Sequence, residues 1–105
     1  MELYFVFKEW RLTVYMDGEL DHHTASQTMR KISEKIDIYL PRDCVLDFER
    51  VRFMDSSGIA VIIKAYHKMR QAGGRLWVDN VGKQPLKVID AAGLDRIINI
   101  GENAQ

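Results

Sequence analysis

Two short runs rich in aromatic and β-branched residues, Leu3–Phe7 and Leu12–Met16, open the chain with Lys8-Glu9-Trp10-Arg11 between them. The pattern predicts a β-hairpin, although the turn lacks the Asn-Gly pair that favours one. The period then changes. Ala25, Met29, Ile32 and Ile36 fall on one helical face, which predicts a helix from about Thr24 to Tyr39 that Pro41 stops. Asp21, His22, His23 or Thr24 is the candidate cap at its start. Cys44–Phe48 reads as a third strand, and Arg50–Met54 as a short connection. Ile59, Ile62, Ile63, Tyr66 and Met69 predict a second helix over about Ser57–Gln71, ended by Gly73-Gly74. Arg75–Asp79 reads as a fourth strand. Pro85 suits the first turn of a third helix that runs through Val88, Ile89 and Ala92 to Gly93. Leu94, Ile97, Ile98 and Ile100 suggest a last short strand or apolar tuck. The tail Gly101–Gln105 is polar and expected to fray.

The order β-β-α-β-α-β-α-β places the chain in the α/β class. It predicts a mixed sheet of four to five strands with an N-terminal hairpin, helices packed on it and right-handed crossovers. A length of 105 residues gives one domain, residues 1–105, with room for a core that needs neither disulfide nor metal.

Charge and cysteine content narrow the function classes. Fifteen basic and fifteen acidic residues cancel, so no overall basic excess points to nucleic acid or an anionic membrane. The lone Cys44 sits in a predicted strand and is expected to be a buried, inert thiol. Met1–Trp10 is apolar but interrupted by Glu2, Lys8 and Glu9, unlike a signal peptide, and no run reaches the ~20 apolar residues of a membrane helix. The expected location is the cytoplasm.

The candidate chemistry centres on Phe53-Met54-Asp55-Ser56-Ser57-Gly58, where a strand hands over to a helix. Such a position leaves backbone N–H groups unpaired at the positive end of the helix dipole. A serine there can cap the helix, help bind an anion, or present its hydroxyl for modification by another enzyme. Phosphorylation would add about −1.5 to −2 charges, which a helix N-terminus tolerates and a partner surface matched to a neutral hydroxyl does not. Asp55 would add like charge beside the phosphate, and Asp21 is a second candidate to do so. Other chemistries find weaker support. Asp-Ser-Ser-Gly differs from the Gly-x-Ser-x-Gly elbow of a hydrolase nucleophile. Neither phosphate-binding loop nor dinucleotide fingerprint is present. Adjacent His22 and His23 point in different directions, and His67 lies far along the chain, so no zinc spacing is completed. Ile59 and Val61 put apolar residues on several sides of the second helix's first turns, for which burial is the expected explanation.

Gly18-Glu19-Leu20-Asp21-His22-His23-Thr24-Ala25 and Phe53-Met54-Asp55-Ser56-Ser57-Gly58-Ile59 together resemble the STAS-domain anti-sigma factor antagonists of spore-forming bacteria, closest to their sporulation branch. The resemblance runs from the hairpin to Ile100 and implies the mixed sheet derived above. It also implies a non-enzymatic switch. The unphosphorylated protein would bind an anti-sigma factor that is an ATP- and Mg²⁺-dependent serine kinase, releasing the sigma factor, and would take no cofactor itself. The kinase would phosphorylate Ser56, and a PP2C-type phosphatase would restore it. By the same resemblance Asp21, Asp55, Ser57, Gly58 and Ile59 belong to the kinase-facing surface, with Gly58 permitting close backbone approach. Similar proteins continue into a further C-terminal helix, which Gly101–Gln105 would carry only in short form, if at all.

Overall fold

Residues 1–102 are described by a computed structural model. Its elements are β1 (Glu2–Lys8), β2 (Arg11–Leu20), α1 (Ala25–Tyr39), β3 (Asp43–Met54), α2 (Ser56–Gln71), β4 (Arg75–Val81), α3 (Lys83–Ala92), a 3₁₀ turn (Leu94–Arg96) and β5 (Ile100–Glu102). The five strands lie side by side in chain order. β1 runs antiparallel to β2, and β2 through β5 are mutually parallel.

The hairpin turn is tighter than its sequence suggests. Glu9 and Trp10 both adopt left-handed backbone, φ 53° and 65°, and Lys8 pairs with Arg11. That is a type I′ turn made without glycine, and each side chain there costs about 1–2 kcal/mol relative to a relaxed backbone. The Trp10 carbonyl accepts from the N–H groups of Arg42 and Asp43, and the Trp10 ring meets Phe7 edge-on at 6.3 Å between centroids.

The helices form one layer, α1 against α2 and α2 against α3. Beneath them Leu12, Val14 and Met16 of β2, Cys44, Leu46 and Phe48 of β3, and Val78 of β4 are fully or almost fully buried. Ile32 and Ile36 of α1, Ile62, Ala65 and Met69 of α2, and Ile89 of α3 close the core from above. Pro85 falls in the first turn of α3, where its missing N–H is not required. On the other face of the sheet Tyr4, Val6 and Tyr15 are exposed. Among the described residues no helix is long and apolar enough to cross a membrane.

Four expectations are corrected. First, β2 continues to Leu20, and β3 continues through Arg50–Met54, which is strand rather than connection. The pairing with β2 slips twice, between Tyr15/Asp17 and Gly18/Glu19, and each slip adds one residue to β3. Each extra residue reverses the face that the following side chains occupy. The inward residues of β3 are therefore Phe48, Val51 and Met54, at a spacing of three that matches neither strand nor helix periodicity. Asp47 steadies the first bulge by accepting the Glu49 N–H on Oδ1 at 3.0 Å. Second, α2 turns Ile63 outward, although the helical spacing places it with Ile59 and Ile62. Third, Gly101 and Glu102 belong to β5 rather than to a frayed tail. Fourth, α2 begins at Ser56 with Asp55 as its cap, described below. The C-terminal helix of similar proteins, expected here in short form if at all, would fall on residues 103–105, which lie outside the described residues.

Candidate functional site

The two sequence motifs meet because β2 and β3 are adjacent and parallel. Their last residues, Leu20 and Met54, pair with each other. Asp21 and Asp55 each follow by one residue, and the Asp55 N–H donates to the Leu20 carbonyl at 3.3 Å. Both aspartates are half-buried and both organise a helix start.

Asp55 is the N-cap of α2, with extended backbone and Oδ1 accepting from the Ser57 N–H at 2.8 Å. Neither serine does the capping. Ser56, the first helical residue, is exposed. Ser57 is half-buried. Of the roles open to a serine here, capping is taken by Asp55, which leaves neither serine hydroxyl committed to the cap.

Asp21 builds the matching start of α1. Its Oδ1 accepts from the N–H groups of His23 and Thr24 at 2.9 and 3.2 Å. In return the Thr24 hydroxyl accepts from the Asp21 N–H at 3.1 Å and donates to the Glu19 carbonyl at 2.8 Å. This reciprocal arrangement has the form of a capping box. It fixes the Gly18–Ala25 segment beside the serine turn. The Asp21 Oδ1 contacts are to backbone N–H groups, while the His22 and His23 rings lie 3.9 Å apart, tilted against each other. Among the described residues no group of three His, Cys, Asp or Glu side chains is placed to hold a metal ion.

Gly58 and Ile59 are turned inward in the isolated chain. A Cβ on Gly58 would stand 2.3 Å from Met54 Cγ and 2.6 Å from its sulfur, and 3.1 Å from Leu20 Cγ. The close approach that glycine permits is to the protein's own core. Ile59 is 9% exposed and Val61 2%, as expected for a helix start pressed onto the sheet.

Sequence reasoning missed Gln84. Beyond Asp47 no residue of β3 pairs with β4, so the backbone of Met54 lacks a strand partner on that side. Gln84, in the first turn of α3, takes that place. Its Oε1 accepts from the Met54 N–H at 2.8 Å, and its Nε2 donates to the Met54 carbonyl at 2.9 Å. A side-chain amide thus imitates one rung of a β-ladder directly beneath the serine turn. A glutamine before a proline carries no sequence signal for this. Phe53 reads as connection in the sequence, but it lies on the strand end and is 42% exposed.

A groove between α1 and α2 opens beside the turn, with a volume of about 580 Å³. Ser57, His22, Met29, Arg30 and Lys64 line it. Its cationic rim contrasts with the carboxylates of Asp55, the N-cap of α2, and Asp21, which ties down the turn before Thr24, the N-cap of α1. Away from the site Cys44 is fully buried, and desolvation pushes its thiol pKa up to about 12.

Over residues 6–105 the sequence matches the STAS domain. The chain belongs to the STAS-domain family. This STAS chain is 36% identical over 92 residues to the anti-sigma F factor antagonist of Paenibacillus polymyxa, a match covering 88% of the chain and 79% of the relative. It is 26% identical over 92 residues to the anti-sigma-B factor antagonist of Listeria monocytogenes, covering 85% and 77%. The fold is similar to the solved structure of the anti-sigma factor antagonist SpoIIAA in its unphosphorylated form, with TM-score 0.81, 27% identity and coverage of 95% and 88%. It is also similar to the Bacillus cell fate determinant SpoIIAA in the phosphorylated form, with TM-score 0.73, 27% identity and coverage of 95% and 91%. These relatives are named as regulators rather than as enzymes.

Proposed function

We propose that this protein is an anti-sigma factor antagonist switched by phosphorylation of Ser56. In the unphosphorylated state it binds an anti-sigma factor serine kinase and so releases the sigma factor. The kinase, using its own ATP and Mg²⁺, transfers phosphate to Ser56, and a PP2C-type phosphatase removes it. The observation that carries this reading is the exposed Ser56 hydroxyl at the first residue of α2, whose cap is supplied by Asp55. Modification there leaves the helix cap in place, so the fold survives while the surface changes charge. The names of the relatives and the two phosphorylation states of SpoIIAA support the same reading. On this reading the partner meets Ser56, Ser57, Asp21 and Asp55, while Gly58 and Ile59 hold the turn from beneath. The protein acts in the cytoplasm, on transcription, without contacting DNA.

The test is to incubate the protein with an anti-sigma factor serine kinase, Mg²⁺ and ATP, and to locate phosphate by peptide mass spectrometry. One phosphate on Ser56 is expected. Ser56→Ala is expected to bind the kinase yet remain unmodified, and Ser56→Asp to bind weakly. Phosphate on Ser57 instead would refute the site. An unmodified chain beside a kinase active on a control antagonist would refute the switch. That outcome would favour a scaffold or small-ligand module, for which the groove between α1 and α2 is the natural seat.

A further inference from the structure

The free edge of β1 is a self-complementary strand, and we infer that two copies of the protein pair through it. The two edges of the sheet differ. β5 covers only Ile100–Glu102 and its pairing with β4 is irregular. β1 pairs with β2 through seven consecutive residues without a bulge and contains no proline. An edge of that length, unbroken and apolar in its middle, is what soluble proteins ordinarily interrupt or cover.

The hairpin fixes which backbone groups face outward. A two-residue type I′ turn closes on a hydrogen-bonded pair, here Lys8 with Arg11. Alternation then directs the N–H and C=O groups of Lys8, Val6, Tyr4 and Glu2 toward β2. Those of Leu3, Phe5 and Phe7 point to the open edge. Antiparallel pairing of two β1 strands centred on Phe5 sets Phe5 opposite the second copy's Phe5 and Leu3 opposite the second copy's Phe7. All of these carry outward-facing groups, so about six backbone hydrogen bonds can form.

The side chains agree with the same register. It sets Glu2 opposite the second copy's Lys8, in the closer, non-hydrogen-bonded kind of pair. It sets Tyr4, 55% exposed, against the second copy's Val6, 49% exposed. Sliding by two residues keeps outward-facing groups opposite one another, but faces Lys8 with Tyr4, which sets Leu3 against the turn residue Glu9, or Glu2 with Val6, and leaves the charges unmatched. On the inner face Leu3, Phe5 and Phe7 are only half-buried in one copy. Tyr39 stacks on Phe7 at 4.7 Å, and the Lys35 ammonium lies 5.5 Å from the Phe5 ring. A two-fold axis normal to the sheet keeps both helix layers on one face and brings the second copy's apolar edge against this incomplete cover. The serine turns fall at opposite ends of the joined sheet, and both remain accessible.

The test is sedimentation equilibrium of the full chain at concentrations up to about 1 mM, on four forms: unaltered, Glu2→Lys, Lys8→Glu, and the double reversal. Each single reversal replaces two opposite-charge pairs by two like-charge pairs and is expected to weaken the dimer about tenfold. The double reversal is expected to restore it. A mixture of the two single variants is expected to form a mixed dimer in preference to either homodimer. Circular dichroism and melting temperature establish that each variant is folded. A protein that stays monomeric to the highest concentration overturns the proposal. So does a dimer indifferent to both single reversals, which would place the contact, or an unrelated partner's, on another surface.

Discussion

Replacing Asp55 by alanine tests the structural basis of the site, because it separates the residue that caps α2 from the residues that present hydroxyls. The Asp55 carboxylate accepts the Ser57 N–H at 2.8 Å. Loss of an aspartate N-cap costs about 1 kcal/mol. Loss of negative charge at the positive end of the helix adds about 0.5 kcal/mol. Asp55→Ala is therefore expected to destabilise the fold by about 1.5 kcal/mol, which lowers the melting temperature by roughly 6 °C in a domain of this size. Asp55→Asn keeps the acceptor and loses only the charge, for a cost of about 0.5 kcal/mol. Ser56→Ala, at an exposed position that caps nothing, should stay within about 0.5 kcal/mol of the unaltered protein. Urea titrations followed by circular dichroism measure all three, with the slope unchanged if the transition stays two-state. A loss at Ser56→Ala equal to that at Asp55→Ala would mean that the serine carries structure. The claim that the fold is indifferent to modification at Ser56 would then fail.

Three further outcomes follow from the packing. Gly58→Ala gains up to about 1 kcal/mol of helix propensity, but its Cβ would meet the fully buried Met54 side chain at 2.3 Å, an overpacking cost of about 1–3 kcal/mol; urea titration is expected to show net destabilisation, and a more stable variant would show that Met54 moves aside freely. Gln84→Ala strips both partners from the buried backbone of Met54 and should cost about 1–2 kcal/mol; hydrogen exchange at the Met54 amide should accelerate by more than exchange in α1, and equal acceleration would mean that the amide bridge is not local support. For Cys44, burial raises the thiol pKa from 9.0 to about 12, so between these values the unfolded chain loses a proton that the folded chain keeps. Stability therefore falls with rising pH in that window, by about 1.4 kcal/mol at pH 10 relative to neutral pH; the fall should shrink by that amount in Cys44→Ala, and parallel curves for the two proteins would refute the assignment.

What the sequence discloses, and what it conceals, follows from how each element is held together. The hairpin strands, α1 and the order of crossovers are legible because each rests on one period repeated over several residues. Ile32 and Ile36 on α1, and Cys44, Leu46 and Phe48 on β3, point inward as that period requires. Legibility stops where the period is broken. Two bulges make Phe48, Val51 and Met54 share a face, so the end of β3 reads as a connection although it is the strand that delivers the serine turn. The cap presents a different difficulty. Asp55, Ser56 and Ser57 are all residues that cap helices, and their order alone does not say which one accepts the first free N–H. Backbone geometry decides it in favour of Asp55, and Ser56 is exposed as a consequence. Gln84 depends on a contact between segments far apart, which no local pattern encodes, and the motif that contains Gly58 does not say that its closeness is to the core. Yet these two residues set the precision of the site. Gln84 completes the missing rung at Met54, and Gly58 lets α2 descend onto Met54 and Leu20. The hydroxyl that the sequence advertises is thus positioned by three residues, Asp55, Gly58 and Gln84. A motif search would register the first two as part of the signature and the third not at all. Transplanting Asp-Ser-Ser-Gly onto another strand-to-helix turn should accordingly reproduce the cap without reproducing the placement of the serine, unless the glycine finds a core to rest on and the strand end finds its amide.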